Sequence, residues 1–255
     1  MKGIERIGQW TLARIEGTGS ATLLAWDGLV SMFRPPFRWR LYLQQLEFVG
    51  VGSLVIVLLT GGFTGMVMAV QSAYAFRLFN AEGYVGTTVA LALTRELAPV
   101  LTGLMVTGRV GSSIATEIGT MGVTEQIEAL RSMAVNPVQY LVSPRIAALA
   151  LAMPVLTLLF SLIGIGGAWV VAVLGLNLDE GVFHARIVNV VTAWDVWSGL
   201  IKAAFFGVTI AIVSCNAGYT ASGGARGVGL ATTRAVVYAS VAVLVVDYFM
   251  TIMMF

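Results

Sequence analysis

Three charged residues stand where charge is costly. Arg95 and Glu96 are the only charged residues between Glu82 and Arg109, and Asp247 is the only one between Arg234 and the end of the sequence. If these stretches cross a bilayer, each charge costs about 2.5–3.5 kcal/mol unless it is paired or hydrated. Adjacent residues on a helix point about 100° apart, so Arg95 and Glu96 do not face one another. Each needs a partner elsewhere, and Asp247 or Arg234 is the available candidate. One reading is a buried ion-pair network that fixes helix packing. The other is a polar patch lining a water-filled or headgroup-binding cavity. The residues alone leave both open.

The elements that must position these charges follow from the composition. Of 255 residues, 58% are hydrophobic and 11% charged, with a formal net charge of +2 and a mean hydropathy of +0.88. A soluble domain carries about 25% charged residues, so this chain is expected to be an all-α, polytopic integral membrane protein. A spanning helix needs about 20 apolar residues. Five stretches qualify, near 48–76, 83–108, 146–175, 200–220 and 235–255. Ser143-Pro144 suits the start of the third, and Gly164, Gly166 and Gly167 suggest a bend in it. Gly61 and Gly65 form a G-x-x-x-G pair, and residues 147–152 read AALALA; both favour close helix packing in lipid.

Arginine and lysine set the orientation. Lys2, Arg6, Arg14, Arg34, Arg38 and Arg40 precede the first span; Arg109, Arg131 and Arg145 lie between the second and third; Arg226 and Arg234 lie between the fourth and fifth. The other side has Arg77 and Arg186. The N-terminus is therefore expected in the cytoplasm and the C-terminus across the membrane. Arg6 and Arg14 interrupt any early apolar run, so no cleavable signal peptide is expected. Residues 1–44 read instead as an interfacial unit: an amphipathic helix over about 1–33, with Ile4, Ile7, Trp10 and Ile15 at helical spacing, followed by the anchor FRPPFRWRLY.

Several chemistries are missing. Lys2 and Lys202 are the only lysines and neither follows a glycine-rich phosphate loop, so ATP hydrolysis by this chain is not expected. There is no HExxH pair and no GxSxG elbow. A serine–lysine pair would have to rest on Lys202 alone. One cysteine, Cys215, and one histidine, His184, provide no metal cluster, and the small net charge does not suggest nucleic-acid binding.

Two further stretches carry information. Met68, Ser72, Ala75, Phe76 and Phe79 share one helix face, an adaptable and aromatic stripe suited to acyl chains or to ordinary lipid-facing packing. Between spans two and three, helical periodicity continues through Ile114, Ile118, Met121, Ile127 and Leu130. A short amphipathic helix, about 117–134, is expected at the cytoplasmic face, capped by Thr124 and stopped at Asn136-Pro137. Glu117, Glu125, Glu128 and Arg131 would be exposed there, either to dock a soluble partner or to rest on the bilayer.

The segment TRELAPVLTGLMVTGRVGSSIATEIGTMGVTEQIEALRSMAVNPVQYLVSPR (94–145), with GGFTGMVMAVQ (61–71) and ATTRAVVYASVAVLVVDYFMTIMMF (231–255), closely resembles the MlaE/YrbE family of ABC-transporter permeases. The resemblance runs from about residue 45 onward. It implies a bacterial inner-membrane subunit that moves phospholipid between inner and outer membranes. Two permease copies would act with a cytoplasmic ATPase, which binds ATP and Mg, and with a periplasmic MCE-domain protein. Arg95 and Glu96 match the family's Arg-Glu before Leu-x-Pro, a pocket-lining pair; Arg234 matches its Thr-Thr-Arg motif and Asp247 the acid of its last span. Met68, Ala75, Phe76, Phe79 and Leu97 match positions facing the lipid cavity, and Glu117 to Arg131 match the coupling helix. The competing readings are a non-transporting scaffold for the other subunits and an ion-coupled secondary transporter. The latter would tend to carry an inverted repeat, and none is visible.

Overall fold

The computed structural model describes residues 19–32, 34–35 and 38–254. Most of the expected N-terminal amphipathic segment, including Ile4, Ile7, Trp10 and Ile15, lies outside the described residues. Helix α1 covers 19–31. Five helices long and apolar enough to span a membrane follow: α2 Trp39–Arg77, α3 Glu82–Val123, α5 Val138–Gly175, α7 Ala193–Tyr219 and α8 Gly224–Met254. Two shorter ones, α4 Gln126–Ser132 and α6 Glu180–Val190, lie at opposite ends of the bundle. The described residues are 90% helical, with no strand among them, a multi-pass membrane architecture.

Every spanning helix is longer than the apolar run that marks it. The extra turns contain the charged residues that hydropathy excludes, such as Arg40, Glu47 and Arg145. α3 continues past Arg109 to Val123 because positions 114, 115, 118 and 119 stay buried on one face. Four π-helical turns, 93–97, 107–111, 138–142 and 170–175, are set into α3 and α5. Each admits an extra residue and shifts which side chains share a face; such turns are frequent at functional sites.

The first and third spans pack along glycine. A Cβ on Gly65 would run into the Gly164 carbonyl, and one on Gly167 would lie 2.6 Å from the Gly62 carbonyl. The G-x-x-x-G pair thus brings α2 backbone to backbone with α5. The residues expected to bend α5 are, at Gly164 and Gly167, packing positions, whereas Gly166 meets nothing. α5 in turn packs on α7, where Gly207 meets the Leu149 backbone, and α7 packs on α8. The last span is the least covered: 11% of its most apolar window is buried, against 33–56% for the other four.

At the arginine-rich end, α1 is fastened to the start of α5. Ser143 Oγ donates to the Gly28 carbonyl at 2.9 Å and shares a 2.7 Å hydrogen bond with Ser31 Oγ. At the other end, Asp179 caps α6 by accepting from the Val182 amide at 2.7 Å. Phe183 of α6 packs against Gly86 of α3, and Arg186 stacks 3.8 Å over the Tyr84 ring.

Candidate functional site: a charged seam between three spans

Arg95, Glu96 and Asp247 converge on α7, the fourth span, on which the sequence reading sought no partner for them. Arg95 and Glu96 lie in the π-helical turn 93–97 of α3. Pro99 follows, and its missing N–H removes the usual α-helical partner of the Arg95 carbonyl. Lys202 on α7 donates to that carbonyl at 3.2 Å. The same ammonium reaches Glu96 Oε2 at 2.8 Å, Thr251 Oγ1 at 2.7 Å and Asp247 Oδ1 at 3.3 Å. Asp247 and Thr251 are one turn apart on α8, so Lys202 ties α3 to α8 from the helix between them.

Two turns nearer the start of α7, Asp195 performs the matching task. Its Oδ1 accepts from Arg95 at 2.6–2.7 Å. Its Oδ2 accepts from the Thr192 amide at 2.7 Å and hydroxyl at 2.8 Å, which completes a capping box. Gly199 lies between Asp195 and Lys202 on the same face, and a Cβ there would strike the Thr94 carbonyl. Positions 195, 199 and 202 thus form a cradle into which the π-helical turn fits: acid, gap, base.

Burial is uneven. Lys202 is fully buried and the Asp195 side chain 1% exposed, whereas the Arg95 and Glu96 side chains are each 38% exposed. The seam is therefore sealed on the α7 side and open on the α3 side. Three carboxylates against two cations leave one excess negative charge. A buried ion without its partners is strongly destabilising, so Lys202 holds its neighbours in place, while the exposed edges of Arg95 and Glu96 remain able to meet a polar headgroup. Among the described residues, the hydrogen-bond partners of Lys202 are the Arg95 carbonyl, Glu96 and Thr251, and none is a serine.

The structure corrects the expected pairing in two respects. Asp247 joins the network through Lys202, a residue that the expected pairing did not include. Arg234 does not join: it sits about 20 Å along the α8 axis from Asp247. It lines a groove of about 660 Å³ with Asn216, Thr220, Leu230 and Tyr238, and it has no carboxylate partner among the described residues. Lys202 was detectable in the sequence as a lone ammonium inside a predicted span. Asp195 was not, because it lies ahead of the apolar run at 200–220.

The apolar stripe divides. Met68 and Phe76 are half-buried against the core, as is Leu97 on α3. Ala75 is exposed and Phe79 is 78% exposed. Within one chain this stripe is a surface and not a closed pocket.

The expected coupling helix over 117–134 is two helices. α3 runs on to Val123, and Thr124 is its C-cap, with its hydroxyl bonded back to the Thr120 carbonyl at 2.8 Å. Thr124 therefore does not cap the short helix. Glu125 does, in the left-handed conformation at φ 59° and with no side-chain cap bond. α4 then presents Glu128 and Arg131, paired at 2.8 Å and exposed. Glu117 lies on α3, and its carboxylate meets the buried Arg145 of α5 at 2.8 Å.

Comparison with known proteins supplies the family. The sequence model described as "Permease MlaE" matches residues 42–253. A Rickettsia felis protein named "Probable ABC transporter permease protein" is 43% identical over 98% of this chain and 96% of its own length. The Haemophilus influenzae "Intermembrane phospholipid transport system permease protein MlaE" is 38% identical over 99% of this chain and 97% of its own length. The chloroplastic protein TRIGALACTOSYLDIACYLGLYCEROL 1 of Arabidopsis thaliana is 38% identical over 90% of this chain and 65% of its own. The match spans both α3, with its Arg-Glu turn, and α8, with its aspartate, and on that ground the chain belongs to the MlaE permease family.

Proposed function

We propose that this chain is the membrane-spanning subunit of an ABC transporter that moves phospholipid between the inner and outer membranes of a bacterium. ATP and Mg would be bound by a separate cytoplasmic ATPase, with α4 as its docking element. The observation that carries the reading is the half-open charged seam. Lys202 and Asp195 hold Arg95 and Glu96 at membrane depth with 38% of each side chain exposed, as a headgroup contact inside an apolar bundle requires.

Two copies would complete the cavity. Val237, Val241, Leu244, Tyr248 and Ile252 form an exposed stripe on α8, and Val55, Leu59, Phe63 and Val67 form one on α2. Pairing across such faces would enclose the stripe that one chain leaves open, placing Met68, Ala75, Phe76, Phe79 and Leu97 on acyl chains. Arg234, in its groove, would meet a headgroup nearer the arginine-rich end. By the positive-inside rule that end, with the N-terminus and α4, faces the cytoplasm, and the C-terminus faces the opposite side. A periplasmic MCE-domain protein would receive or deliver lipid there.

The test is reconstitution with the ATPase in vesicles holding labelled phospholipid. ATP-dependent movement of the label, together with co-purified phospholipid identified by mass spectrometry, is the expected result. An assembled complex that hydrolyses ATP but neither retains nor moves lipid would reduce this chain to a scaffold.

A further inference from the structure

Arg145 is, with Lys202, one of two deeply buried cations among the described residues, and the headgroup reading gives it no task. Its side chain is 3% exposed. One guanidinium nitrogen donates to the Leu141 carbonyl at 2.6 Å, within the π-helical turn 138–142. Another meets Glu117 Oε2 at 2.8 Å, and Nε is buried with no hydrogen-bond partner. Burying an incompletely satisfied arginine against one half-exposed carboxylate is a poor route to stability, because apolar residues of similar volume often serve as well or better. The arrangement calls for a role other than packing.

Its position supplies one. α4 rests on the 112–123 segment of α3, and that segment packs on α7 and α8. Glu117 lies within it, and its pair with Arg145 connects the segment directly to the first turns of α5. Two residues before Arg145, Ser143 holds α1. Farther along, Gly164 and Gly167 lock α5 to α2. A displacement entering at α4 therefore reaches α7 and α8 by packing, and meets α5, with α1 and α2 fastened to it, directly at this ion pair.

We propose that the Glu117–Arg145 ion pair is the strut that passes movement of α4 to the third and first spans, making Arg145 a positioning residue for transport. The proposal rests on the reading of the chain as an ATPase-driven lipid permease. The strut works because its geometry is two-pronged. The guanidinium bridges a helix-turn carbonyl and a carboxylate on another element, so neither can shift without the other.

The experiment uses the complete complex with its ATPase in vesicles, measuring phospholipid transferred and phosphate released in the same sample. Removing Arg145 leaves Glu117 exposed to water and strands no buried charge, so Arg145→Gln is the first variant. A residue that only stabilises the fold lowers both rates together and leaves lipid moved per ATP unchanged. A strut changes the ratio: Arg145→Gln is expected to assemble, hydrolyse ATP and move about ten-fold less lipid per ATP, within the usual range of coupling between sites. Arg145→Lys keeps the charge but cannot span both acceptors, and is expected to fall in between. A wild-type ratio in Arg145→Gln overturns the proposal. If Arg145→Gln does not assemble, a wild-type ratio in Arg145→Lys does the same. Wild-type complex that hydrolyses ATP and moves no lipid would instead remove the permease reading itself.

Discussion

The Lys202 ammonium lies 2.8 Å from the Glu96 carboxylate, a pairing across 106 residues of sequence that joins the second and fourth spans at membrane depth. Because Lys202 is fully buried and also reaches Asp247 and Thr251 on the last span, three helices depend on one side chain.

Lys202→Met should be among the most destabilising single substitutions in the chain. It strands two carboxylates, at a cost of about 3–5 kcal/mol. Combining it with Glu96→Gln and Asp247→Asn removes those charges and should restore most of the loss. Thermal unfolding of the three proteins in one detergent tests this, and a triple variant no more stable than the single would contradict it.

Asp195→Ala removes both the Arg95 pair and the capping box at the start of α7. A loss of about 2 kcal/mol is expected, combining a cap with a charge-assisted hydrogen bond. Amide exchange should accelerate over 192–199 and stay unchanged at the α2–α5 seam, which hydrogen-exchange mass spectrometry resolves.

Gly65→Ala places a methyl against the Gly164 backbone, and overpacking of this kind costs about 1–3 kcal/mol. Gly50→Ala on the same helix meets open space and should be neutral or slightly stabilising. Equal melting temperatures for the two variants would show that α2 and α5 are not held by that contact.

Glu125→Lys with Glu128→Lys reverses the acidic side of α4 and removes the Glu128–Arg131 pair, an exposed contact worth little by itself. Stability should change by less than about 1 kcal/mol, while co-purification of the ATPase should be lost. An unchanged complex would dismiss α4 as the docking element.

The five spans were legible because apolar stretches of twenty or more residues, with at most two charges in each, have few alternatives in a chain of this composition. Arg95, Glu96 and Asp247 were legible for the same reason, as exceptions within those runs. Their partners were less so. Asp195 falls outside the run at 200–220, and nothing local in the sequence reveals that Pro99 and a π-helical turn aim the Arg95 carbonyl at Lys202. Thr124 was assigned to the wrong helix because a threonine before a glutamate suits an N-cap as well as the C-terminal turn of a helix that continues unseen. Glu117 looked free because its partner, Arg145, is buried on an element that meets α3 only after the chain has folded.

The π-helical turn at 93–97 makes α3 tolerant of a change in length at one place only. It takes five residues through about the rotation that four cover in a regular α-helix. Losing one of them would let the backbone relax to a regular α-helix and leave residues 98–123 on their present faces, with Glu117 still at Arg145. Arg95 and Glu96 alone would be displaced from the cradle on α7. One residue lost from the regular turns after Pro99 would instead rotate everything beyond it by about 100°, turning 112–123 away from α7 and α8.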